Sequence, residues 1–106
     1  MRDCLLFIPC YNESDRIDLD AFDTFIKQAA NEAIDIVFIN DGSSDGTQKL
    51  LEEFCHSHPS AQLINYHKNK GKAESLRNAF LKKLDKRTDY SFFGFLDADL
   101  ATPLEE

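Results

Sequence analysis

The stretch Ile34-Asp-Ile-Val-Phe-Ile-Asn40, followed directly by Asp41-Gly-Ser-Ser-Asp-Gly-Thr47, decides the fold class of this 106-residue chain. Its first half is rich in β-branched and aromatic residues and contains the continuous apolar run Ile36–Ile39. A continuous run, rather than an alternating one, predicts a strand buried on both faces, as in a parallel sheet. The second half is rich in Gly, Ser and Asp, which predicts a turn at the end of that strand.

Three further apolar runs predict the other strands: Cys4–Ile8 (ended by Pro9), the short Leu63-Ile64, and Phe92–Leu96. Between the runs, apolar residues recur at helical spacing and predict three helices. The three apolar stripes are Phe22, Phe25, Ile26, Ala29, Ala30 and Ala33; Leu50, Leu51, Phe54 and Cys55; and Ala73, Leu76, Phe80 and Leu84. The order β-α-β-α-β-α-β predicts an α/β fold, with a mostly parallel sheet between two helical layers.

Composition and charge exclude several classes of protein. Hydrophobic residues make up 42% of the chain and charged residues 29%, a globular composition that argues against intrinsic disorder. With 12 basic and 19 acidic residues the net charge is −7, which argues against a general nucleic-acid binder. Neither a spanning helix nor a signal peptide is predicted. Three cysteines without metal-site spacing predict free thiols and a reducing, cytoplasmic compartment.

Carboxylates follow three of the four predicted strands. Glu13 follows the first strand, Asp41 the second, and Asp97 and Asp99 the fourth. Because the carboxyl ends of parallel strands meet at one edge, where ligands bind, these acids are expected to converge. Such a convergence suits a divalent cation, or the hydrogen-bond donors of a base and a ribose.

Asp97 and Asp99 are two residues apart at a strand end, so their side chains are expected to point the same way. They can share one Mg²⁺ or Mn²⁺, or one can bind the metal while the other binds a ribose hydroxyl. A metal there would stabilise a diphosphate leaving group as a Lewis acid. Taken alone, this pair is a weak signal, and the favoured interpretation is then that Asp99 starts a turn or caps a helix.

The other polar loop residues also have purely structural interpretations. Asp45 followed by Gln48 is the pattern of a helix N-cap pair, so we interpret Asp45 as mainly structural. Asp41, at the strand tip, is better placed for a ligand. Tyr11 can pack against a base, but Tyr11 and Glu13 are equally compatible with an ordinary polar loop.

Positive charge is concentrated in residues 68–87, which hold eight basic and two acidic residues. Lys82–Arg87 is typical of a solvated helix face. Lys68–Lys72 lies in a predicted loop beside Gly71, where cations can meet an anion. This segment lacks the GxxxxGK[ST] pattern and is not a P-loop.

Two signalling interpretations remain open but weaker. Asp41-x-Ser43-x-Asp45-Gly46 followed by Glu52 fits the spacing of an EF-hand calcium loop. An EF-hand needs a helix before that loop, whereas a strand is predicted here. A receiver-type domain also collects acids at strand ends, but no acidic pair follows the first strand.

Four motifs occur in order along the whole chain: Pro9-Cys-Tyr-Asn-Glu13, Asn40–Thr47, Asn69-Lys-Gly-Lys72 with Arg77-Asn78, and Phe95–Leu100. Together they resemble the family-2 inverting glycosyltransferases of the GT-A, Rossmann-like fold. The segment Asp97-Ala-Asp-Leu-Ala-Thr-Pro103 further resembles the branch that uses polyprenyl or dolichyl phosphate, particularly its glucosyltransferases.

The resemblance implies a donor, an acceptor and a metal. The donor would be a nucleotide diphosphate sugar, UDP-glucose in particular, the acceptor a polyprenyl or dolichyl phosphate, and the cofactor Mg²⁺ or Mn²⁺. Ala101 stands where mannosyl-type relatives often carry Gln, which argues against mannosyl transfer, and Ala73 replaces a common Gly. The implied nucleotide-binding residues are Pro9, Tyr11, Glu13, Asp41, Gly71, Lys72, Arg77 and Asp97, and the implied metal ligands are Asp97 and Asp99.

The end of the chain leads us to expect a longer protein, because Thr102-Pro103-Leu104-Glu105 is a strong helix start. The resemblance places the acceptor site and the catalytic base after the Asp97–Asp99 region, and we expect the base beyond Glu106. Residues 1–106 are therefore expected to bind the nucleotide sugar without turnover, and no base is assigned. A lipid acceptor implies work at the cytoplasmic face of a membrane. A nucleotide-binding module without transferase activity is the alternative.

Overall fold

Four strands form one parallel sheet in the computed structural model, which describes residues 4–15, 17–28, 34–85 and 92–96. The strands are β1 (Cys4–Cys10), β2 (Ile34–Asp41), β3 (Ala61–Tyr66) and β4 (Phe92–Phe95), and the helices are α1 (Leu19–Gln28), α2 (Thr47–Ser57) and α3 (Lys72–Asp85). The sheet order is β3-β2-β1-β4, and every neighbouring pair is parallel. In these described ranges, every helix is too short or too polar to cross a membrane.

The two faces of the sheet pack against different helices, which confirms the predicted α/β fold with three layers. On one face, the Phe38 ring of β2 packs edge-on against Phe22 of α1 and Phe54 of α2, with centroids 5.3 and 5.6 Å apart. On the other face, Ile39 packs in a cluster with Ala79 of α3. Burial of a side chain such as Phe38 contributes about 2–3 kcal/mol to folding. β2 is therefore covered on both sides.

β1 runs further than predicted and passes through Pro9. Proline lacks the N–H group, so a strand tolerates it only where the ladder does not need that donor. Phe7 O accepts a hydrogen bond from Leu96 N at 3.0 Å, so Phe7 directs its backbone groups towards β4, and so does Pro9 two residues later. The pairing with β4 ends at Phe7 and Phe95. In the described part of the sheet, the backbone hydrogen bonds between β1 and β4 therefore do not need an N–H group at Pro9.

The buried face of α3 matches the predicted stripe at Leu76 and Phe80, which pack against the core, but not at Ala73. Ala73 is exposed, whereas Ser75 and Ala79 are fully buried. Ser75 tolerates burial because its Oγ donates a hydrogen bond to Lys72 O at 3.1 Å. Small side chains on this face let the helix lie close to the sheet. The side chain of Leu84 and residues Ala29, Ala30 and Ala33 lie outside the described part of the chain.

The cysteines are free thiols, as the sequence predicts. Burial raises the pKa of Cys55 to about 11. Burial, followed by the charge of Glu13, also raises the pKa of Cys10. Both thiols therefore stay protonated at neutral pH and are poor nucleophiles.

His58 joins the end of α2 to α1. Its Nε2 lies 2.6 Å from Oδ1 of Asp23, and its Nδ1 lies 2.7 Å from the carbonyl oxygen of Phe54. Both partners are acceptors, so both ring nitrogens donate only when His58 is protonated. The hydrogen bond with Asp23 is the main cause that raises the pKa of His58, and the same bond lowers the pKa of Asp23.

We expect this contact to make stability depend on pH. The raised pKa of His58 gives stability that is fully present below its ordinary value of 6.5 and is lost as pH rises through the folded-state value. The lowered pKa of Asp23 gives stability present above 3.8 and lost as pH falls through its folded-state value. The thermal unfolding midpoints of wild type and His58→Gln should therefore differ most at about pH 5 and least at about pH 9.

The control for this measurement is His56→Gln, which removes an exposed histidine of the same helix. At about pH 5 it should lower the unfolding midpoint less than His58→Gln does, because it leaves the contact between His58 and Asp23 intact. If the difference in unfolding midpoint between wild type and His58→Gln stays constant from pH 5 to pH 9, the contact between protonated His58 and Asp23 adds no stability.

Candidate functional site

Three loops follow neighbouring strands at the carboxyl edge of the sheet. They are the first loop (residues 11–15, after β1), the second loop (residues 42–46, after β2) and the third loop (residues 67–71, after β3). Asp41, the last residue of β2, lies beside Tyr66, the last residue of β3. The second loop is hydrogen-bonded to the first, and the tip of β2 is hydrogen-bonded to the third.

Hydrogen bonds hold the first loop against the second loop and α2. Asn12 N donates to Ser43 Oγ at 3.0 Å, and Asn12 Oδ1 accepts from Ser44 N at 2.8 Å. Glu13 N donates to Thr47 Oγ1 at 2.8 Å. Asn12 has a φ of 52°, a left-handed conformation that Asn adopts more readily than most residues. These contacts fix the backbone around Glu13.

Asp45 belongs to the same network, but it is not the N-cap that the sequence predicts. Gly46 is the N-cap of α2, and it makes no side-chain cap hydrogen bond. Asp45 Oδ1 accepts from Thr47 N at 2.9 Å and from Thr47 Oγ1, while Oδ2 accepts from Ser14 N and Oγ at 3.3 and 2.8 Å. These bonds, chiefly that from the Thr47 hydroxyl, lower the pKa of Asp45 to about 2. Gln48 bonds along α2 instead, so the predicted pair does not form.

The calcium-loop interpretation does not fit this geometry. A strand, β2, precedes the second loop, where an EF-hand needs a helix. Both carboxylate oxygens of Asp45 accept hydrogen bonds from protein groups.

Asp41 is the buried carboxylate at this edge, with only 2% of the residue exposed. Its Oδ1 accepts a hydrogen bond from Lys70 N at 2.8 Å, and its Oδ2 accepts one from Asn69 Nδ2 at 3.0 Å. The same amide nitrogen also lies 3.0 Å from the carbonyl oxygen of Asp41. Asp41 thus holds the third loop against the tip of β2. A carboxylate has about four lone-pair positions, so each oxygen can accept a further donor.

Two glycines shape this part of the edge: Gly42 permits the close contact, and Gly71 permits the turn that follows it. Gly42 has a φ of +70°, and a Cβ at that position would lie 2.3 Å from the backbone nitrogen of Asn69. Gly71 has a φ of +89°, and its carbonyl oxygen accepts a hydrogen bond from Ser75 N at 3.0 Å. Glycine adopts these left-handed conformations without strain. The chain therefore turns from the third loop into α3, whose N-terminus lies at the carboxyl edge.

The third loop places cations beside the buried carboxylate. Lys68, Lys70 and Lys72 are exposed, and Lys70 Nζ lies 5.6 Å from the centroid of the Tyr66 ring. Burial, followed by the charge of Asp41, raises the pKa of Tyr66. Lys72 begins α3, and free N–H groups at a helix N-terminus attract anions. The edge therefore combines an acceptor for hydrogen-bond donors with a region that suits a phosphate.

The remaining nucleotide-binding residues implied by the sequence lie at different places around this edge. Tyr11 is 46% exposed in the first loop, and Pro9 lies within β1. Gly71 ends the loop that Asp41 holds. Arg77 is exposed on α3, five residues, or about 7.5 Å along the helix axis, beyond its first residue.

The predicted metal ligands Asp97 and Asp99 lie outside the described residues. Leu96, the described residue before them, is hydrogen-bonded to Phe7 at the end of β4. Within the described part of the chain, no group of three or more His, Cys, Asp or Glu side chains could hold a metal ion. Glu106, beyond which we expect the catalytic base, also lies outside the described residues. The position of that base therefore stays a prediction.

Sequence reasoning missed three asparagines that build this edge. Asn12 and Asn69 make the loop contacts given above. Asn40 is 1% exposed and donates from Nδ2 to Asn65 Oδ1 at 3.0 Å, while its Oδ1 has no hydrogen-bond partner in the described part of the structure. Asparagine at a strand end or turn commonly bonds nearby backbone. That tendency was the available signal.

Several curated relatives of the chain are glycosyltransferases. Residues 5–105 match the model of glycosyl transferase family 2. A dolichyl-phosphate beta-glucosyltransferase of Trichomonas vaginalis is 31% identical over 105 residues, which cover 93% of this chain and 30% of that protein. A poly-beta-1,6-N-acetyl-D-glucosamine synthase of Staphylococcus epidermidis is 33% identical over 92 residues, which cover 87% of this chain and 20% of that protein. The chain thus spans less than a third of these relatives.

The fold is also that of solved glycosyltransferases. A mannosyltransferase of Pyrobaculum calidifontis, solved with GDP-Man and Mn²⁺, superposes with a TM-score of 0.70 at 24% identity, over 97% of this chain and 34% of that chain. At this identity the likeness concerns the fold alone. The family model, by contrast, covers nearly the whole sequence. The chain therefore belongs to glycosyl transferase family 2.

Proposed function

We propose that the full-length protein transfers a sugar from a nucleotide diphosphate sugar to a lipid phosphate. The donor is UDP-glucose, the acceptor is a polyprenyl or dolichyl phosphate, and transfer inverts the configuration at the anomeric carbon. The buried Asp41 carboxylate, held beside a cationic loop and the N-terminus of α3, is the observation that carries this proposal. Family membership supports glycosyl transfer, and the name of the Trichomonas vaginalis relative supports the sugar and the acceptor.

In this proposal the edge binds the donor in two parts. Asp41 accepts a hydrogen bond from the base through a lone pair that its protein donors leave available. Tyr11 packs against the base. The third loop and the start of α3 bind the diphosphate, because their cations and N–H groups offset its negative charge. The proposed nucleotide-binding residues are Pro9, Tyr11, Glu13, Asp41, Gly71, Lys72, Arg77 and Asp97.

A divalent cation, Mg²⁺ or Mn²⁺, fits this proposal through Asp97 and Asp99. These residues follow β4 in the sequence, and carboxylates are the hard oxygen ligands that such ions prefer. The mannosyltransferase with a similar fold was solved with Mn²⁺. When bound, the cation stabilises the negative charge of the departing diphosphate.

We assign acceptor binding and the catalytic base to the part of the protein beyond Glu106, since the chain spans 30% of the Trichomonas vaginalis relative. Residues 1–106 are then the nucleotide-sugar-binding part of the transferase domain and have no turnover by themselves. The lipid acceptor places the reaction at the cytoplasmic face of a membrane.

Calorimetric titration of the chain with UDP tests the donor site. We expect UDP to bind, and to bind more tightly with Mn²⁺ than without it, because Asp97 and Asp99 would hold the cation and its charge would offset that of the diphosphate. GDP should bind more weakly than UDP. Equal affinity for the two nucleotides would contradict the uridine assignment. A full-length protein that binds neither would contradict the donor site itself.

A transfer assay tests the reaction. The full-length protein should move labelled glucose from UDP-glucose to dolichyl phosphate, and residues 1–106 alone should not. Transfer by the 106-residue chain would contradict the assignment of the base to the rest of the protein. UDP binding without transfer to any phosphate or sugar acceptor would favour a nucleotide-binding module instead.

Two matched substitutions separate the metal site from the loop network. Asp99→Asn should weaken Mn²⁺-dependent UDP binding by about tenfold or more, because it removes a charged oxygen ligand. Asp45→Asn should weaken that binding less and lower stability by about 1 kcal/mol, because one of two acceptor oxygens is lost at an exposed position. Titration and thermal unfolding measure the two effects. Equal losses of UDP affinity would contradict this division of roles.

A further inference from the structure

One side chain, Asn69, fastens the third loop to the tip of β2. Its Nδ2 lies 3.0 Å from the carbonyl oxygen of Asp41 and 3.0 Å from Oδ2 of the same residue. The other carboxylate oxygen is occupied by the backbone N–H of Lys70 at 2.8 Å. These hydrogen bonds give the Asp41 carboxylate two protein donors: the backbone N–H of Lys70 and the side-chain amide of Asn69.

The terminal torsion of an aspartate has a broad energy profile, so hydrogen bonds determine the plane of its carboxylate. Two donors on opposite oxygens fix that plane. With the Lys70 N–H alone, the carboxylate of Asp41 can turn about the remaining hydrogen bond. A nucleotide base that donates a hydrogen bond to this carboxylate would then meet lone pairs that have no fixed direction.

We propose that Asn69 is a positioning residue of the donor site: its side-chain amide sets the direction of the Asp41 carboxylate towards the base and couples it to the loop that faces the diphosphate. This inference rests on the proposed function. It adds a role for a residue outside the set of nucleotide-binding residues proposed above.

The coupling follows from how closely the two backbones approach. A Cβ at Gly42 would lie 2.3 Å from Asn69 N and 2.5 Å from the carbonyl carbon of Lys68, so no side chain fits between them. The contact with Asp41 thus fixes the position of the third loop. Lys70, whose Nζ lies over the Tyr66 ring, and Gly71, which leads into α3, belong to that loop. The contact between Asn69 and Asp41 therefore holds both the acceptor proposed for the base and the cations proposed for the phosphates.

The test measures dissociation constants of the full-length protein for UDP and CDP in the presence of Mn²⁺. Asn69→Ala should weaken UDP binding by about tenfold, because the base would lose much of its hydrogen bond to a carboxylate whose direction is no longer fixed. CDP binding should weaken less, so the preference for UDP over CDP should fall several-fold. A merely structural loosening would weaken both nucleotides alike and leave that preference intact.

A near-isosteric variant, Asn69→Asp, gives an independent readout. The introduced carboxyl faces the Asp41 carboxylate, and two such groups share one proton. At about pH 8 repulsion should weaken UDP binding more than Asn69→Ala does. As the pH falls to about 5, the introduced carboxyl becomes protonated and can donate the lost hydrogen bond. UDP affinity relative to wild type should then recover, and Asn69→Ala should show no such recovery.

The control is His67→Ala, which shortens an exposed side chain of the same loop. It should leave the preference for UDP over CDP unchanged. If wild type prefers UDP and Asn69→Ala keeps that preference, the inference is overturned and the proposed function stands. If wild type does not prefer UDP to CDP, the proposed uridine site fails, and the role of Asn69 fails with it.

Discussion

Burial of β2 on both faces is the constraint on which the rest of the structure depends. Phe38 packs against α1 and α2 on one side, and Ile39 packs with α3 on the other. A strand covered in this way needs helical connections and parallel neighbours. The middle of the strand, Ile36–Ile39, is wholly apolar, and its polar residues lie towards its ends, with Asn40, Asp41 and the second loop at the carboxyl end. The interaction that builds the core therefore also places the polar groups at one edge.

At that edge, similar carboxylates have different surroundings. Asp41 is buried, and a buried charge is costly unless donors surround it, which the third loop supplies. Asp45 is exposed and joins the first loop to the start of α2. The acidic pattern that suggests one site therefore contains a carboxylate that organises the candidate site and another that ties loops together.

Much of the fold could be predicted from the sequence, because hydrophobic periodicity is local and reports strands and helices directly. The exact ends of strands and the buried faces of helices were harder to predict from the sequence. β1 continues through Pro9 because the pairing with β4 stops before its missing N–H is needed. The buried face of α3 includes Leu76 and Phe80 as predicted, but it also includes Ser75 and Ala79 and leaves Ala73 exposed.

The sequence by itself determined the class of fold, the order of its elements, the motifs at the strand ends and the family. Only the tertiary structure decided which polar groups meet. Asp41 meets Asn69 across 28 residues of sequence, Asp45 meets Ser14 across 31, and His58 meets Asp23 across 35. Such contacts depend on the register between strands and on the direction of each side chain. No local pattern of residue types encodes either of these, so the candidate residues were visible in the sequence while their partners were not.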